Sequence, residues 1–180
     1  MEEGLLVNEC LKGNAKAQKA LFDRFAPKML AICFRYMKNQ DDSEDVLQIG
    51  MVKVFAKLSD FKKEGPLEGW IRRIMVNSCL DQLRRNKKFI TDMRMDDVSY
   101  RLEVKEEVLS QLAAEDLMQL IQKMPTGYRV VFNLFAIEGY SHQEISETLQ
   151  ISESTSKTQY LRARAYLRQR IESKDESRIV

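Results

Sequence analysis

The chain has 180 residues, of which 44% are hydrophobic, so it is long enough for one mid-sized domain or two small ones with packed cores. Its 29 basic and 27 acidic side chains give a net charge of +2, so any strongly cationic surface must be local. The cysteines and the single histidine have no metal-site spacing, and no segment has the features of a signal peptide or a membrane span. We therefore expect reduced thiols, no bound metal, no membrane insertion and a cytoplasmic location.

Apolar residues at helical spacing predict helices over most of the chain. The predicted helical ranges are 15–38, 42–59, 69–87 and 112–172. No alternating pattern of useful length indicates a strand, which predicts an all-α fold. Pro27 is expected to kink or restart the first helix, and Pro66 to lie in a loop between helices. Pro125 is expected to open the last helical unit at its first turn.

The second predicted helix begins with a cluster of carboxylates. The cluster consists of Asp41, Asp42, Glu44 and Asp45. Acidic residues at a helix N-terminus complement the macrodipole, which explains two or three carboxylates better than four. An exposed acidic and apolar face could also dock a basic partner protein. Successive helix positions point around the axis, so these carboxylates cannot all converge on a magnesium ion. The apolar residues that follow at helical spacing are Leu47, Met51, Val54, Phe55 and Leu58.

The third predicted helix has a polar face and an apolar face. The polar face carries Trp70, Arg73, Asn77, Asp81, Arg84 and Lys88. The face turned toward a core carries Ile71, Ile74, Met75, Leu80 and Leu83. Cations, an amide and an aromatic together suit single-stranded or partly opened nucleic acid. The alternative is a solvated arginine face with Trp70 packed at the helix start, and for Trp70 alone that alternative is favoured.

An acidic segment separates two more basic parts of the chain. Residues 91–116 are mainly acidic and contain few large apolar side chains, which predicts a flexible linker. We therefore predict two small helical domains joined by an acidic linker. The predicted boundaries are a first domain at 1–92, a linker at 93–114, a second domain at 115–174 and a tail at 175–180.

The second domain has the pattern of a helix-turn-helix. Ser141 and Glu144 form an S-x-x-E capping box before a helix that ends near Leu149. After a short turn, Ser152 is placed to cap a second helix. The apolar face of that helix carries Tyr160, Ala163, Leu167 and Ile171, and its cations are Lys157, Arg162, Arg164, Arg168 and Arg170. This pattern favours duplex DNA binding in the major groove over an ordinary helix pair with a solvated basic face.

With these segments in order, the whole chain resembles the extracytoplasmic-function (ECF) sigma factors, the smallest class of bacterial sigma factors of the sigma-70 family. The segment Asp42–Gln48 is similar to the family's D-A-E-D-L-V-Q run. Residues 70–85 resemble the pattern W-L-x-R-I-A-x-N-x-x-x-D-x-L-R-R. Within Pro125–Leu167, the residues that resemble the family's fourth conserved region are Phe132, Glu138–Ser141, Glu144–Ile145 and Ile151–Thr155.

The resemblance implies an alternative sigma factor that binds core RNA polymerase and directs initiation at promoters, with no catalytic residue and no cofactor of its own. It implies contact with the clamp helices of the largest subunit through Asp42, Glu44, Asp45 and Gln48. It implies minus-ten binding by Trp70, Arg73, Asn77, Arg84, Arg85 and Lys88, with a base flipped into the loop at 61–69. It implies minus-thirty-five binding by Thr155, Lys157, Thr158, Leu161 and Arg162. The polymerase flap and an anti-sigma factor are further implied partners.

Some positions depart from the family pattern. Ile49 stands where another carboxylate is usual, so we expect a more apolar polymerase contact. Ser156 replaces a small apolar residue inside the recognition helix, and we expect its hydroxyl to bond a backbone carbonyl one turn earlier. Leu67 and Gly69 offer no aromatic ring for a flipped base. The alternative function is a free-standing helix-turn-helix regulator that binds duplex DNA without polymerase, and a nucleic-acid-processing enzyme is a more distant third.

Overall fold

The computed structural model describes residues 2–85 and 114–176, and it describes side chains at 2–85 and 116–171. Within these ranges the chain is helical and contains no strand, which confirms the all-α prediction. The chain divides into two compact units, with the division after Arg85. Lys88, the boundary near 92 and all but the last residue of the linker predicted at 93–114 lie outside the described residues.

Four helices and one 3-10 turn form the described part of the first unit. They are α1 (Glu3–Leu11), α2 (Ala15–Tyr36), α3 (Gln40–Ala56), the 3-10 turn Leu58–Asp60 and α4 (Leu67–Arg85). Helices α2, α3 and α4 pack against one another, and α1 packs against α2. The sequence did not predict α1, which buries Leu6, Val7 and Cys10. In the core, the Sγ atoms of Cys33 on α2 and Cys79 on α4 are 3.9 Å apart.

Helix α2 runs through Pro27 without interruption, so the predicted restart is wrong. The Asn14 side chain begins the helix by accepting hydrogen bonds from the backbone of Lys16 at 3.0 Å and Ala17 at 3.3 Å. Proline removes one helical donor, at a cost that tertiary packing must offset. Phe25 and Met29, on either side of Pro27, are both buried, so the core holds the helix on both sides of the missing hydrogen bond.

Helices α3 and α4 approach closely at Gly50. A Cβ atom added there would lie 2.5 Å from the Met75 Sδ atom, so the absence of a side chain lets Met75 fill the space. The Lys53 ammonium on α3 also donates to the Asp81 carboxylate on α4 at 3.0 Å. Since α3 and α4 carry two of the predicted binding surfaces, this packing fixes one surface relative to the other within the first unit.

Helix α4 begins directly after Pro66, and a residue of α1 caps the first turn of α4. The Leu67 backbone N–H donates to the Glu3 carboxylate at 2.9 Å, which satisfies one of the unpaired donors of the helix start. The preceding loop contains Lys63 in a left-handed conformation with φ of 59°. Leu67 is fully buried, so it belongs to the core and not to the loop surface.

The described part of the second unit contains four helices and one π-helical turn. They are α5 (Ala114–Lys123), α6 (Thr126–Phe132), the π turn Asn133–Ile137, α7 (His142–Leu149) and α8 (Glu153–Glu176). One buried hydrophobic cluster of this unit contains Leu120, Ile121, Met124, Phe132, Ala163, Leu167 and Ile171. Pro125 is the N-cap of α6, one position before the first turn where the sequence placed it.

A buried arginine joins α5 to α6. Arg129 is fully buried, and its Nη1 donates to the backbone carbonyls of Gln122 and Met124, each at 3.2 Å. These carbonyls lie at and just past the end of α5, where a helix leaves acceptors unpaired. Burial lowers the pKa of Arg129 to about 10, so the guanidinium remains charged at neutral pH.

Candidate nucleic-acid and polymerase interfaces

The helix-turn-helix of the second unit begins with the predicted capping box. The Ser141 hydroxyl accepts from the Glu144 backbone at 3.2 Å, and the Glu144 carboxylate accepts from the Ser141 backbone at 2.8 Å. The Ser141 hydroxyl also donates to the Glu144 carboxylate at 2.8 Å, and the two bonds that this carboxylate accepts, first the one from the Ser141 backbone and then the one from its hydroxyl, lower the pKa of Glu144. The turn passes through Gln150 at φ 55°, and Ser152 caps α8 by accepting from the Thr155 backbone at 3.0 Å. Both predicted helix starts are confirmed.

Helix α8 has one buried face and one outward face. The buried face carries Ser156, Gln159, Ala163, Leu167 and Ile171, at spacings of three and four. Of the residues predicted to contact the minus-thirty-five element, Lys157 and Leu161 are exposed, and Thr155, Thr158 and Arg162 are half-buried. Tyr160 is half-buried beside Phe132 and Phe135. The outward face therefore brings the five predicted residues together.

Several cations of α8 have partners within the helix. The Lys157 ammonium lies 2.7 Å from the Glu153 carboxylate in an exposed pair, and this pairing lowers the pKa of Glu153. The guanidinium of Arg164 lies 5.9 Å from the centre of the Tyr160 ring, and that of Arg170 lies 4.6 Å from the Tyr166 ring. Exposed ion pairs contribute at most about 1 kcal/mol, so a phosphate can replace the carboxylate at small cost.

The structure corrects the expectation for Ser156. Its hydroxyl is buried and forms a 2.9 Å hydrogen bond with Nδ1 of His142, the first residue of α7, and not with a carbonyl one turn earlier. The His142 ring stacks on Phe135 with ring centres 4.3 Å apart. Burial, with a smaller effect of Lys157, lowers the pKa of His142. Sequence reasoning missed this contact, although the only histidine and an unusual buried serine both fall in the same motif.

Helix α4 carries the polar face that the sequence predicted. Arg73, Asn77, Arg84 and Arg85 are exposed along it. Trp70 is half-buried, and its ring centre lies 5.6 Å from that of Phe61 at the start of the preceding loop. This packing supports a structural role for Trp70. On the opposite face, Ile71, Met75 and Leu80 are buried, and Ile74 and Leu83 are half-buried.

Helix α3 has an exposed face that is both acidic and apolar. Asp42, Asp45 and Gln48 are exposed, whereas Glu44 is half-buried and accepts from the Gln40 side chain at 2.7 Å. Asp42 also accepts from the Asn39 side chain, so it takes part in capping the helix. Most of the predicted apolar set is core, since Leu47, Met51, Val54 and Leu58 are buried. The exposed apolar residues are instead Ile49 and Val52, with 39% and 69% of their surfaces exposed.

Comparison with known families accounts for both units. Residues 21–89 match the model of sigma-70 region 2, and residues 114–167 match the model of sigma-70 region 4. The chain belongs to the ECF sigma factors. An ECF sigma factor is an alternative sigma factor that binds RNA polymerase and serves promoter recognition in transcription initiation. The α3 and α4 faces fall within the region 2 match, and most of α8 falls within the region 4 match.

Sequence matches to named relatives cover most of this ECF sigma factor. SigW of Bacillus subtilis is 26% identical over 176 residues, covering 92% of this chain and 94% of SigW. SigZ of the same organism is 28% identical over 152 residues, covering 84% of this chain and 85% of SigZ. SigE of Mycolicibacterium smegmatis is 28% identical over 153 residues, which cover 82% of this chain but 59% of that longer relative.

Two solved structures share the fold of this ECF sigma factor. CnrH, in complex with the cytosolic domain of CnrY, is 23% identical with a TM-score of 0.51, and the match covers 94% of this chain and 96% of CnrH. RpoE of Bartonella quintana, in complex with the anti-sigma factor NepR, is 21% identical with the same TM-score, and the match covers 86% of this chain and 96% of RpoE. Within residues 2–85 and 114–176, no helix combines the length and hydrophobicity needed to cross a bilayer.

Proposed function

We propose that this ECF sigma factor directs RNA polymerase to its promoters through three helix faces with separate partners. The polymerase face lies on α3, the minus-ten face on α4 and the minus-thirty-five face on α8. One observation carries the proposal. On each of these helices, the polar and charged side chains at the positions that resemble the family motifs are exposed or half-buried, while the intervening residues are buried. We place the corresponding domains at 1–92 and 115–174.

The polymerase face combines carboxylates with exposed aliphatic side chains. Asp42, Asp45 and Gln48 form its polar part, and Glu44 lies at its edge. Ile49 and Val52 lie on the same side of α3, one turn and two turns after Asp45. We propose that the carboxylates pair with basic residues of the clamp helices while the aliphatic pair is buried in the complex. The second unit contacts the polymerase flap.

The minus-ten face combines cations with one amide. Arg73, Arg84 and Arg85 are placed to hold phosphates of the opened non-template strand, as is Lys88 beyond the described range. Asn77 lies exposed between Arg73 and Arg84, and its amide can both donate to and accept from a base edge. Extruding a base costs a few kcal/mol of stacking and pairing, so contacts of this kind must offset the cost of strand opening.

The minus-thirty-five face reads duplex DNA. Lys157 and Arg162 supply phosphate or base contacts, and Thr155 and Thr158 supply hydroxyls near the start of the helix that enters the groove. Leu161 is 38% exposed and offers an apolar contact of the kind that a thymine methyl accepts. Each residue therefore has a chemistry suited to base or phosphate contact.

We further propose that the protein is a cytoplasmic, non-enzymatic specificity subunit controlled by an anti-sigma factor. CnrH is found with CnrY, and RpoE with the anti-sigma factor NepR. The exposed aliphatic residues Ile49 and Val52 make the polymerase face suitable for such an antagonist, because covering this face would both bury them and block polymerase.

Run-off transcription with purified core polymerase tests the proposal. With this chain present, we expect discrete new transcripts whose start sites share two upstream elements. Asp45→Ala combined with Gln48→Ala should lower affinity for core polymerase, whereas Asp60→Ala, an exposed carboxylate outside the face, should not. Duplex binding without any polymerase-dependent transcript would instead identify a free-standing regulator.

Single substitutions on the two DNA faces separate their roles. Asn77→Ala should relax base preference within the minus-ten element and leave polymerase affinity unchanged. Arg162→Ala should weaken binding to duplex minus-thirty-five DNA and flatten its salt dependence by about one ion. Reduced polymerase affinity in the first variant, or an unchanged salt slope in the second, would contradict the assigned contacts.

A further inference from the structure

The only histidine of the chain is fixed by contacts on three sides. Its Nδ1 lies 2.9 Å from the Ser156 hydroxyl of α8. One ring face stacks on Phe135, with the planes 15° apart, and Tyr160 of α8 meets the ring edge with centres 5.9 Å apart. Phe135 and Tyr160 also touch, with centres 4.5 Å apart. The first residue of α7 is therefore tied to α8 by one directional bond within an aromatic cluster.

The π turn places the aromatic support for this bond. The backbone N–H of Glu138, the residue directly after the π turn Asn133–Ile137, donates to the Asn133 carbonyl five residues back at 2.9 Å. A π turn inserts one residue into the helical repeat and rotates the side chains that follow. Phe135 lies inside this turn and stacks on His142. The local departure from α-helical geometry thus supports the contact that holds the histidine ring.

Ser156 is well placed to control the rotation of α8. It is fully buried, while its neighbours Thr155 and Lys157 belong to the minus-thirty-five face. An aliphatic side chain at this point could slide against its neighbours, because dispersion contacts have little directionality. A hydroxyl bonded to a ring nitrogen has a preferred distance and angle. The bond therefore restrains how far the neighbouring outward side chains can turn about the helix axis.

We propose that the hydrogen bond between His142 and Ser156 positions α8 and thereby sets base discrimination at the minus-thirty-five element. Both are positioning residues, since they act through the outward residues of α8. This inference rests on the proposed DNA-reading role of α8. It concerns the ratio of transcription from matched and changed minus-thirty-five elements, because the cations of the helix attract phosphates of any sequence whether or not the bond is present.

Transcription with the full chain and core polymerase tests the inference. The templates share one minus-ten element and carry either the preferred minus-thirty-five element or single base-pair changes in it. His142→Phe keeps a flat ring against Phe135 but removes Nδ1, and Ser156→Ala removes only the hydroxyl. Each should lower discrimination between matched and changed elements by about five- to tenfold, the equivalent of one neutral hydrogen bond. The double variant should lose no more than either single variant, because both remove the same bond.

Three controls distinguish positioning from loss of folding. Ser156→Thr keeps a hydroxyl and should retain most of the discrimination. Gln143→Ala changes an exposed neighbour whose side chain donates to Glu147 within α7, and it should have no effect. The imidazole ¹⁵N signals belong to one residue, since the chain has one histidine, and Ser156→Ala should shift the Nδ1 signal.

The results that would overturn the inference are specific. A uniform loss of transcription on all templates, with discrimination unchanged, would assign the bond to stability alone. Additive effects of His142→Phe and Ser156→Ala on discrimination would show that the two side chains do not act through one bond. Failure of the proposed function is a separate outcome, because the unsubstituted chain would then give no polymerase-dependent transcript on any template.

Discussion

Val52→Ala should weaken binding to core polymerase without weakening the fold. Val52 exposes 69% of its surface on the polymerase face of α3, and this fraction is what a partner can still bury. Truncation to alanine removes two methyl-sized groups, each contributing about 0.8 kcal/mol when fully buried. Scaled by the exposed fraction, the loss is about 1.1 kcal/mol, or roughly a sixfold increase in Kd. Competition for labelled core polymerase, followed by fluorescence anisotropy, measures this change directly.

The chain offers a matched control for this prediction on another helix. Leu5 on α1 is 54% exposed and lies outside the proposed face, so Leu5→Ala should leave polymerase affinity unchanged. Val52→Ala should also leave the midpoint of thermal unfolding unchanged or slightly raised, because alanine has the higher helix propensity. An unchanged Kd for Val52→Ala, or an equal loss for Leu5→Ala, would refute the assignment of an apolar polymerase contact to α3.

Three further predictions concern the supports of the binding faces. Ser141→Ala should cost about 1 kcal/mol by removing a cap, which lowers the Tm of a small unit by about 4–8 °C. The lowered pKa of Glu144 contributes stability that is present above the ordinary pKa of 4.5 and is lost as the pH falls through the folded-state value. Because alanine keeps the backbone N–H at position 141 and removes only the hydroxyl, Ser141→Ala should reduce this dependence of unfolding on acid pH only in part. Glu3→Ala should leave the Leu67 N–H without its acceptor and speed its amide exchange, and exchange at the wild-type rate would contradict the cap. Arg129→Met should cost about 1–2 kcal/mol in urea unfolding and Arg129→Ala about 2–5 kcal/mol, because methionine refills the space. Burial lowers the folded-state pKa of Arg129 to about 10, so the charged side chain destabilises the folded state at any pH below 10. As the pH rises through 10 the folded side chain loses its proton and this destabilisation falls. The free energy of unfolding of the wild type should therefore rise relative to that of Arg129→Met.

Local signals in the sequence predicted the helix-turn-helix well. The capping box at Ser141 and the cap at Ser152 depend on residues three positions apart, and the structure has both. No comparable local signal marks α1. Its buried residues span little more than one turn, and Leu5 and Leu11 beside them are apolar but exposed, so the segment has no clear polar face. Packing against α2, which the sequence does not display, selects the buried side.

The sequence predicted which residues of the proposed binding faces point outward better than it predicted the contacts that position them. Outward positions on α3, α4 and α8 follow from helical periodicity once the core residues are recognised. The bond between His142 and Ser156 joins residues 14 positions apart on two helices, and the sequence does not give the rotation of one helix against the other. For the same reason, the sequence pointed to Ile49 as an apolar polymerase contact but did not single out Val52, which is the more exposed of the two.

The pairing of cations on the proposed DNA faces predicts that this protein depends on polymerase for specificity. Lys157 is paired with Glu153 and Arg84 with Asp81, and the whole chain carries a net charge of only +2. Such exposed pairs yield to a phosphate at a cost of at most about 1 kcal/mol each, yet in the free chain they reduce attraction to DNA of any sequence. The two proposed DNA faces also lie in separate units, so we expect each alone to make few contacts. When polymerase holds both units, binding of one raises the effective concentration of the other at its element, and weak but selective contacts then suffice.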